Sequence, residues 1–236
     1  MRAVILAGGR GRRLTPYTTI LPKPLMPIGD ISILEVVLRQ LKHAGFEEIT
    51  MAVGYLAELL MAYLGDGSKF GLHISYSREE KPLGTAGPLS LIKGLDEPFL
   101  VMNGDLLTSL DYQAMWEHHR SGGAIGTLAT FQRSVNIDLG VIETNPQGLV
   151  TGYIEKPTYH YTVSTGIYVF DPSVLAFIPP DKPMDLPELV SGLLAAGHRI
   201  ATYPFEGHWL DIGRHEDYGR AIDEFEQHRA DFLPME

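Results

Sequence analysis

The chain has 236 residues, no cysteine and a formal net charge of −10, from 19 Lys and Arg against 29 Asp and Glu. No disulfide, thiolate metal site or cysteine nucleophile can form, and the acidic balance argues against a nucleic-acid partner, which calls for a basic surface. Hydrophobic content of 44% and charged content of 20% suit a soluble globular protein, and no apolar run reaches the length of a membrane span. The length fits one large α/β domain over 1–236, read as two halves, 1–120 and 121–236. The opening is a few apolar residues followed by Gly and Arg, which is no export signal, so a cytoplasmic protein is expected.

Ala3–Leu6 reads as a buried first strand. It leads into Gly8, Gly9 and Gly11 interleaved with Arg10, Arg12 and Arg13, then into Lys23 between Pro22 and Pro24. Residues 1–29 hold five basic side chains and no acidic one. A cationic loop on an acidic chain is a site for a polyanion, most simply a nucleoside triphosphate. Glycines let N–H groups approach phosphate oxygens, and Arg and Lys supply charge. The spacing matches neither the dinucleotide fingerprint nor the P-loop.

A helix is predicted from Ser32, where Ser32-Ile-Leu-Glu35 is a capping-box sequence. Leu34, Val37, Leu38 and Leu41 share its apolar face, and Gly45 ends it. Glu48–Val53 reads as a strand, Leu56–Leu64 as a helix, His73–Ser77 as a strand and about Thr85–Lys93 as a helix. The apolar strand Phe99–Met102 then ends at Asn103-Gly104-Asp105. This alternation predicts a parallel, doubly wound sheet that binds ligands beyond the carboxyl ends of its strands. The arginine loop and Asp105 both lie at that edge.

After a helix at Asp111–His119 the pattern turns β-rich. Strands are expected at Ala124–Phe131, Gly140–Glu143, Val150–Ile154 and Val163–Phe170, separated by Gly, Pro and Asn turns. Helices at about Leu186–Ala196 and Glu216–His228 follow, with strands near Arg199–Tyr203 and Trp209–Ile212 between them. The second half should extend the same sheet. His118 and His119 are adjacent on a helix and point about 100° apart, so they cannot share an ion and read as surface residues. The nine histidines are expected to form no metal box. Tyr153, Tyr159, Tyr161 and Tyr168 read as strand packing or an interface, and a homodimer stays open.

Asp105 sits in Asn-Gly-Asp, which is also ordinary turn chemistry. Asp211 lies inside the short apolar segment GHWLDIG (207–213), where a carboxylate is costly unless it meets a metal or a cation. Glu155-Lys156 taken alone reads as a solvated pair. Gly140 and Gly166 read either as points of close backbone approach or as bulges.

Taken whole, Leu6–Ile28, LAGGRGRRLTPYTTILPKPLMPI, resembles the opening signature of the sugar-1-phosphate nucleotidyltransferases. The one departure is Arg12, where that family usually has a small Ser or Thr. NGD at 103–105, EKP at 155–157 and WLDIG at 209–213 resemble further family motifs in the family's order, so the likeness runs from Met1 to about Phe225. It implies a Rossmann-like, doubly wound mixed sheet of the nucleotide-diphospho-sugar transferase type. The partners implied are small molecules, a nucleoside triphosphate and a sugar 1-phosphate, with Mg²⁺ held by Asp105 and Asp211. Arg13, Lys23, Asp105 and Asp211 would be catalytic. Leu6, Ala7, Gly8, Gly9, Gly11, Arg13, Pro82, Gly84, Thr85 and Asn103 would bind the nucleotide. Gly140, Glu155, Lys156, Thr165 and Gly166 would hold the sugar phosphate. The C-terminal left-handed β-helix of many members is not found in 1–236, so a second, acyl-transferring activity is not expected.

LGTAGPL at 83–89 resembles mannose-1-phosphate guanylyltransferases, and Leu106 stands where thymidylyl-transferring members usually have Asn. The resemblance therefore implies GTP with mannose 1-phosphate or a related heptose phosphate. Uridylyl or thymidylyl transfer to another sugar 1-phosphate is an alternative. A catalytically silent nucleotide-sugar sensor is another, disfavoured because Arg13, Lys23, Asp105 and Asp211 are all present.

Overall fold

The expected first strand forms as β1 (Arg2–Ala7), whose alternation sends Ala3, Ile5 and Ala7 to one apolar cluster and Val4 to another on the opposite face. The computed structural model describes residues 1–233. After β1 come the short strands β2 (Pro27–Ile28) and β3 (Ile31–Ser32), then α1 (Ile33–His43), β4 (Glu48–Val53), α2 (Ala57–Leu64) and β5 (His73–Arg78). The middle holds β6 (Phe99–Asn103), β7 (Leu106–Thr108), α3 (Tyr112–Gly122), β8 (Gly126–Asn136), β9 (Val141–Thr144), β10 (Val150–Ile154) and β11 (Thr158–Phe170). The chain ends with α4 (Leu186–Ala195), β12 (Ile200–Pro204), β13 (Trp209–Asp211), α5 (His215–Gln227) and α6 (Arg229–Phe232).

Seven strands make the main sheet, in the order β12-β8-β11-β6-β1-β4-β5. Strands β6, β1, β4 and β5 are parallel, as the alternation predicts. The sheet is mixed because β11 runs antiparallel to both β6 and β8. The expectation that the second half extends this sheet holds for β8, β11 and β12. The segments 141–144 and 150–154 instead pair with each other as a separate hairpin, and β13 pairs with β7. Helices α1, α2 and α3 cover one face through residues such as Leu38, Leu60 and Met115. Helix α4 covers the other through Leu186, Leu189 and Leu193. A third cluster joins Leu14 and Met26 to Leu210, Ile212, Phe225 and Phe232, fixing the arginine loop against the end of the chain.

Several expected boundaries move for identifiable reasons. Ser32 caps α1 by accepting from the Glu35 N–H (3.2 Å), but the Glu35 carboxylate takes Arg39 and the Tyr63 hydroxyl rather than closing the box. The predicted helix at 85–93 shrinks to a 3-10 turn, Gly87–Leu91. There the Ala86 and Gly87 N–H groups both donate to Met184 O across the chain, and Pro88 has no N–H to give. Strands β8 and β11 are longer than expected because they pair with each other along their whole length, from Gly126/Phe170 to Asn136/Thr158. The tyrosines divide between β11 and the β9–β10 hairpin. Tyr168 is buried and stacks on Phe170, whereas Tyr153 and Tyr161 are exposed.

His119 corrects the surface reading. Only His118 stays near the surface, against the Tyr203 ring. The His119 side chain is 2% exposed, its Nδ1 bonds with Thr127 Oγ1 (2.9 Å), and its Nε2 lies 3.5 Å from Asp171 Oδ1. Burial pushes its imidazole below the usual range, and Asp171 opposes that only in part. The fold therefore prefers the neutral ring. Above the ordinary value of 6.5 the group costs nothing; as pH falls through it, the unfolded chain takes up a proton that the folded chain declines, and stability drops. Between about pH 7.5 and about pH 5.5 the thermal midpoint should fall less in His119→Gln than in the parent. Parallel pH profiles for the two proteins would remove His119 as a source of acid sensitivity.

No helix among the described residues is long and apolar enough to cross a membrane.

Candidate active site

Strand β1 sits between β4 and β6, the point where the winding reverses, and its carboxyl end opens into a cavity of about 1270 Å³. Leu6, Gly8, Gly9, Arg10, Gly11 and Arg12 line one wall as the chain leaves β1, and Pro82, Gly84, Thr85, Asn103 and Asp105 line others. Ala7 is buried in the core instead. Arg10 lies over the Tyr55 ring, 5.7 Å from its centroid, so one of the loop cations is held at the mouth by an aromatic face. Arg12, the departure from the family pattern, faces the cavity, whereas Arg13 is absent from its lining.

Gly84 has a geometric reason. Its φ is +78°, and a Cβ there would stand 2.5 Å from Met184 O. Thr85 lines the cavity but its polar groups are engaged: its N–H donates to Asp185 Oδ1 (2.9 Å), and its Oγ1 accepts from the Leu186 N–H (2.8 Å). It thus locks the loop around Gly84 to the start of α4.

Asp105 and Asp211 stand on neighbouring segments. Asp105 follows β6, held by the Gly104 N–H donating to Leu6 O (2.9 Å). The β7–β13 ladder pairs Asp211 with Leu106, and the Ile212 N–H donates to Asp105 O (3.3 Å). Two residues about a hundred positions apart are so brought to one spot. Lys23 Nζ donates to Asp105 Oδ2, with the lysine side chain 12% exposed. Arg13 reaches the Asp211 side, where its Nη1 lies 3.6 Å from the place a Cβ on Gly213 would take. Although the Asp211 side chain is open to solvent, surrounding protein strips part of its hydration. That, ahead of the Asp105 charge, raises its carboxyl above the usual range, while Lys23 and Arg13 pull it back. Two crowded carboxylates flanked by two cations form a donor set that suits a hard, oxygen-seeking divalent ion.

The residues assigned to the sugar phosphate do not line this cavity. Thr165 is buried, its Oγ1 donating to Ala129 O (2.9 Å), and its own carbonyl accepts from the Trp209 indole (3.0 Å). Gly166, at φ +79°, marks a register break in β11, and a Cβ there would strike Asn103 Nδ2 at 2.6 Å. It is a bulge as well as a close approach, to Asn103. Gly140 lies beneath Tyr153, whose hydroxyl donates to Glu155 Oε2 (2.9 Å). Glu155 and Lys156 are exposed where the β9–β10 hairpin returns to β11, with Lys156 at φ +44°.

Sequence reasoning missed Glu79. It follows β5 at the same sheet edge, lines the cavity, accepts from the Leu83 N–H at Oε2 (2.9 Å), and brings Oε1 within 2.5 Å of where a Cβ on Gly8 would be. An acidic residue directly after a parallel strand, on the edge already assigned to the ligand, was the available signal.

Residues 2–228 match the model of the nucleotidyl transferase family. The chain is 36% identical to a UTP–glucose-1-phosphate uridylyltransferase of Synechocystis, aligning over 94% of this chain and 62% of that protein. It is 35% identical to the mannose-1-phosphate guanylyltransferase catalytic subunit beta of Drosophila pseudoobscura pseudoobscura, over 92% of this chain and 60% of that one. The chain thus spans about three fifths of the length of these relatives. Among solved structures, a putative glucose-1-phosphate thymidylyltransferase of Bacillus anthracis superposes with a TM-score of 0.77 at 25% identity, covering 94% of each chain. HddC of Yersinia pseudotuberculosis gives 0.73 at 24% identity, over 95% of this chain and 99% of that one, which speaks to the fold alone. With the mixed sheet, the cavity at its switch point and the convergent aspartates all present, the chain belongs to the nucleotidyl transferase family.

Proposed function

We propose that this chain joins a nucleoside triphosphate to a sugar 1-phosphate, releasing pyrophosphate and an NDP-sugar, with GTP and mannose 1-phosphate or a related heptose phosphate as the preferred pair. The observation that carries the reaction class is the Lys23–Asp105 pair beside Asp211, at the edge of a cavity walled by glycines and arginines. An oxygen of the sugar 1-phosphate attacks the α-phosphorus. The bond from that phosphorus to the oxygen bridging to the β-phosphate breaks, and its electron pair leaves on pyrophosphate. The attacking oxygen is already anionic, so no Ser–His or Cys–His pair is needed; alignment and charge stabilisation carry the step. Arg10 and Arg12, which line the cavity, are assigned to the triphosphate. Lys23 faces charge developing at the α-phosphate, and Arg13 steadies Asp211. Mg²⁺ fits the Asp105 and Asp211 carboxylates and would supply neutralisation of the crowded phosphates. The exposed hairpin with Glu155 and Lys156 is assigned to the sugar phosphate, as are Gly140 and Gly166, whereas Thr165 is buried with its hydroxyl and carbonyl already bonded and has neither to give a substrate. In this reading 1–236 work as one domain of two halves, in the cytoplasm, with a homodimer open through the exposed tyrosine ribbon.

Glu79 supports the guanine reading. A carboxylate only accepts hydrogen bonds, and guanine presents two adjacent donors on its edge where uracil and thymine present a single donor between acceptors. The second reading, uridylyl transfer, is favoured by the identity to the Synechocystis enzyme. Measuring kcat/KM for GTP, UTP, dTTP, CTP and ATP with matched sugar 1-phosphates separates them. GTP should lead, and Glu79→Gln should narrow its lead. A pyrimidine nucleotide favoured by about tenfold, about 1.4 kcal/mol in transition-state binding, would overturn the guanine assignment and leave the reaction class standing. No pyrophosphate release with any pair would sink the class.

A further inference from the structure

We propose that His208, Glu224 and His228 form a second metal site, for a divalent transition ion of the zinc class, separate from Asp105 and Asp211. His208 immediately precedes β13, Glu224 lies in α5, and His228 joins α5 to α6. One nitrogen of each ring and one Glu224 oxygen lie within 4.8 Å of one another. His208 Nδ1 is 3.0 Å from Glu224 Oε2, and the two imidazoles lie 4.4 Å apart between centroids at 35°. Ligand atoms around a tetrahedral ion with bonds of about 2.0–2.1 Å stand about 3.4 Å apart. Small side-chain adjustments would therefore close this set on an ion, with the fourth position left to water.

The surroundings match that use. Asp231 Oδ2 lies 3.4 Å from His208 Nε2 and 3.6 Å from His228 Nδ1. With the ion on His208 Nδ1 and His228 Nε2, Asp231 would lie beside the other nitrogen of each ring, where a small shift would let it accept from both, fix the tautomers and strengthen the ligands. His208 is itself fixed in place: its N–H donates to Ser109 Oγ (2.9 Å), its carbonyl accepts from the Ser109 N–H (3.0 Å), and its ring packs on Phe232. Two imidazoles and a carboxylate select zinc-class ions over Mg²⁺, which seeks oxygen donors and keeps its waters. The ion would tie α5 and α6 to the strand that carries Asp211, as a structural staple and not as a participant in nucleotidyl transfer.

The test titrates Zn²⁺ by calorimetry into chelator-stripped protein lacking any histidine tag, with Co²⁺ absorption as a spectroscopic check. One equivalent should bind, raise the thermal midpoint, and give a Co²⁺ spectrum with imidazole ligation. Binding should persist in Asp105→Asn/Asp211→Asn, weaken at least tenfold in His228→Gln and in Glu224→Gln, and weaken about tenfold in Asp231→Asn. No stoichiometric binding by the parent would overturn the site and leave these groups as a hydrogen-bonded clasp. Binding unchanged in both His228→Gln and Glu224→Gln, or abolished in Asp105→Asn/Asp211→Asn, would place the ion elsewhere and overturn it equally. None of these outcomes bears on whether the chain transfers nucleotides, which the substrate panel decides.

Discussion

Asp211→Asn is expected to lower turnover by about 10²-fold or more, about 2.7 kcal/mol at 1.36 kcal/mol per decade, while the thermal midpoint stays near that of the parent. The side chain is solvent-open at the end of the β7–β13 ladder, so the apolar cluster around Leu210, Ile212 and Phe225 does not depend on its charge. Its charge is already disfavoured by partial burial and by Asp105, so neutralising it should not harm the fold. The loss falls on catalysis: Asn keeps the shape but removes one of the two negative ligands for the ion, and with it much of the neutralisation of the phosphates. Asp105→Asn should do the same and additionally leave Lys23 without its partner. The measurement is initial-rate pyrophosphate release across a Mg²⁺ titration. Near-parent Mg²⁺-dependent turnover in Asp211→Asn would take that residue out of the site.

The parts of the site that were legible in the sequence are those where local chemistry and register agree. Gly8, Gly9 and Gly11 follow a strand whose apolar alternation is unambiguous, and Asp105 ends another, so both fall on the carboxyl edge of a parallel sheet. Asp211 was readable because a carboxylate within WLDIG has no apolar reason to be there. What stayed hidden depends on contacts between distant segments. The loop at 84–87 takes its bonds from Met184 rather than from its own next turn, so a helical pattern does not become a helix. His119 is polar and adjacent to another histidine, and only the approach of Thr127 and Asp171 makes its burial tolerable. Glu224 and His228 stand four residues apart at the end of α5, an ordinary helical spacing, and only the fold brings His208 to them.

Lys23 and Lys156 carry the same charge in different settings, and their alanine variants should separate by kinetic parameter. Lys23 lies on a short 3-10 turn between prolines, largely shielded and bonded to Asp105. Its position is fixed before substrate arrives, and its ammonium cannot be replaced by water without leaving the Asp105 and Asp211 carboxylates opposed. Lys23→Ala should therefore act on charge that develops as pyrophosphate leaves, and depress kcat by about 10²–10³-fold. Lys156 is exposed at a strained turn of the hairpin and does not line the cavity at the end of β1. An exposed cation that meets the sugar phosphate in both states contributes similarly to ground state and transition state. Lys156→Ala should thus raise the sugar-phosphate KM and leave kcat and the NTP KM close to the parent. Varying each substrate at saturating levels of the other gives both parameters directly. If the two variants changed kcat and both KM values alike, the division of roles would fail. If Lys156→Ala alone lowered kcat, the hairpin would have to close over the reacting phosphates in the transition state, and Lys156 would join Lys23 at the α-phosphorus.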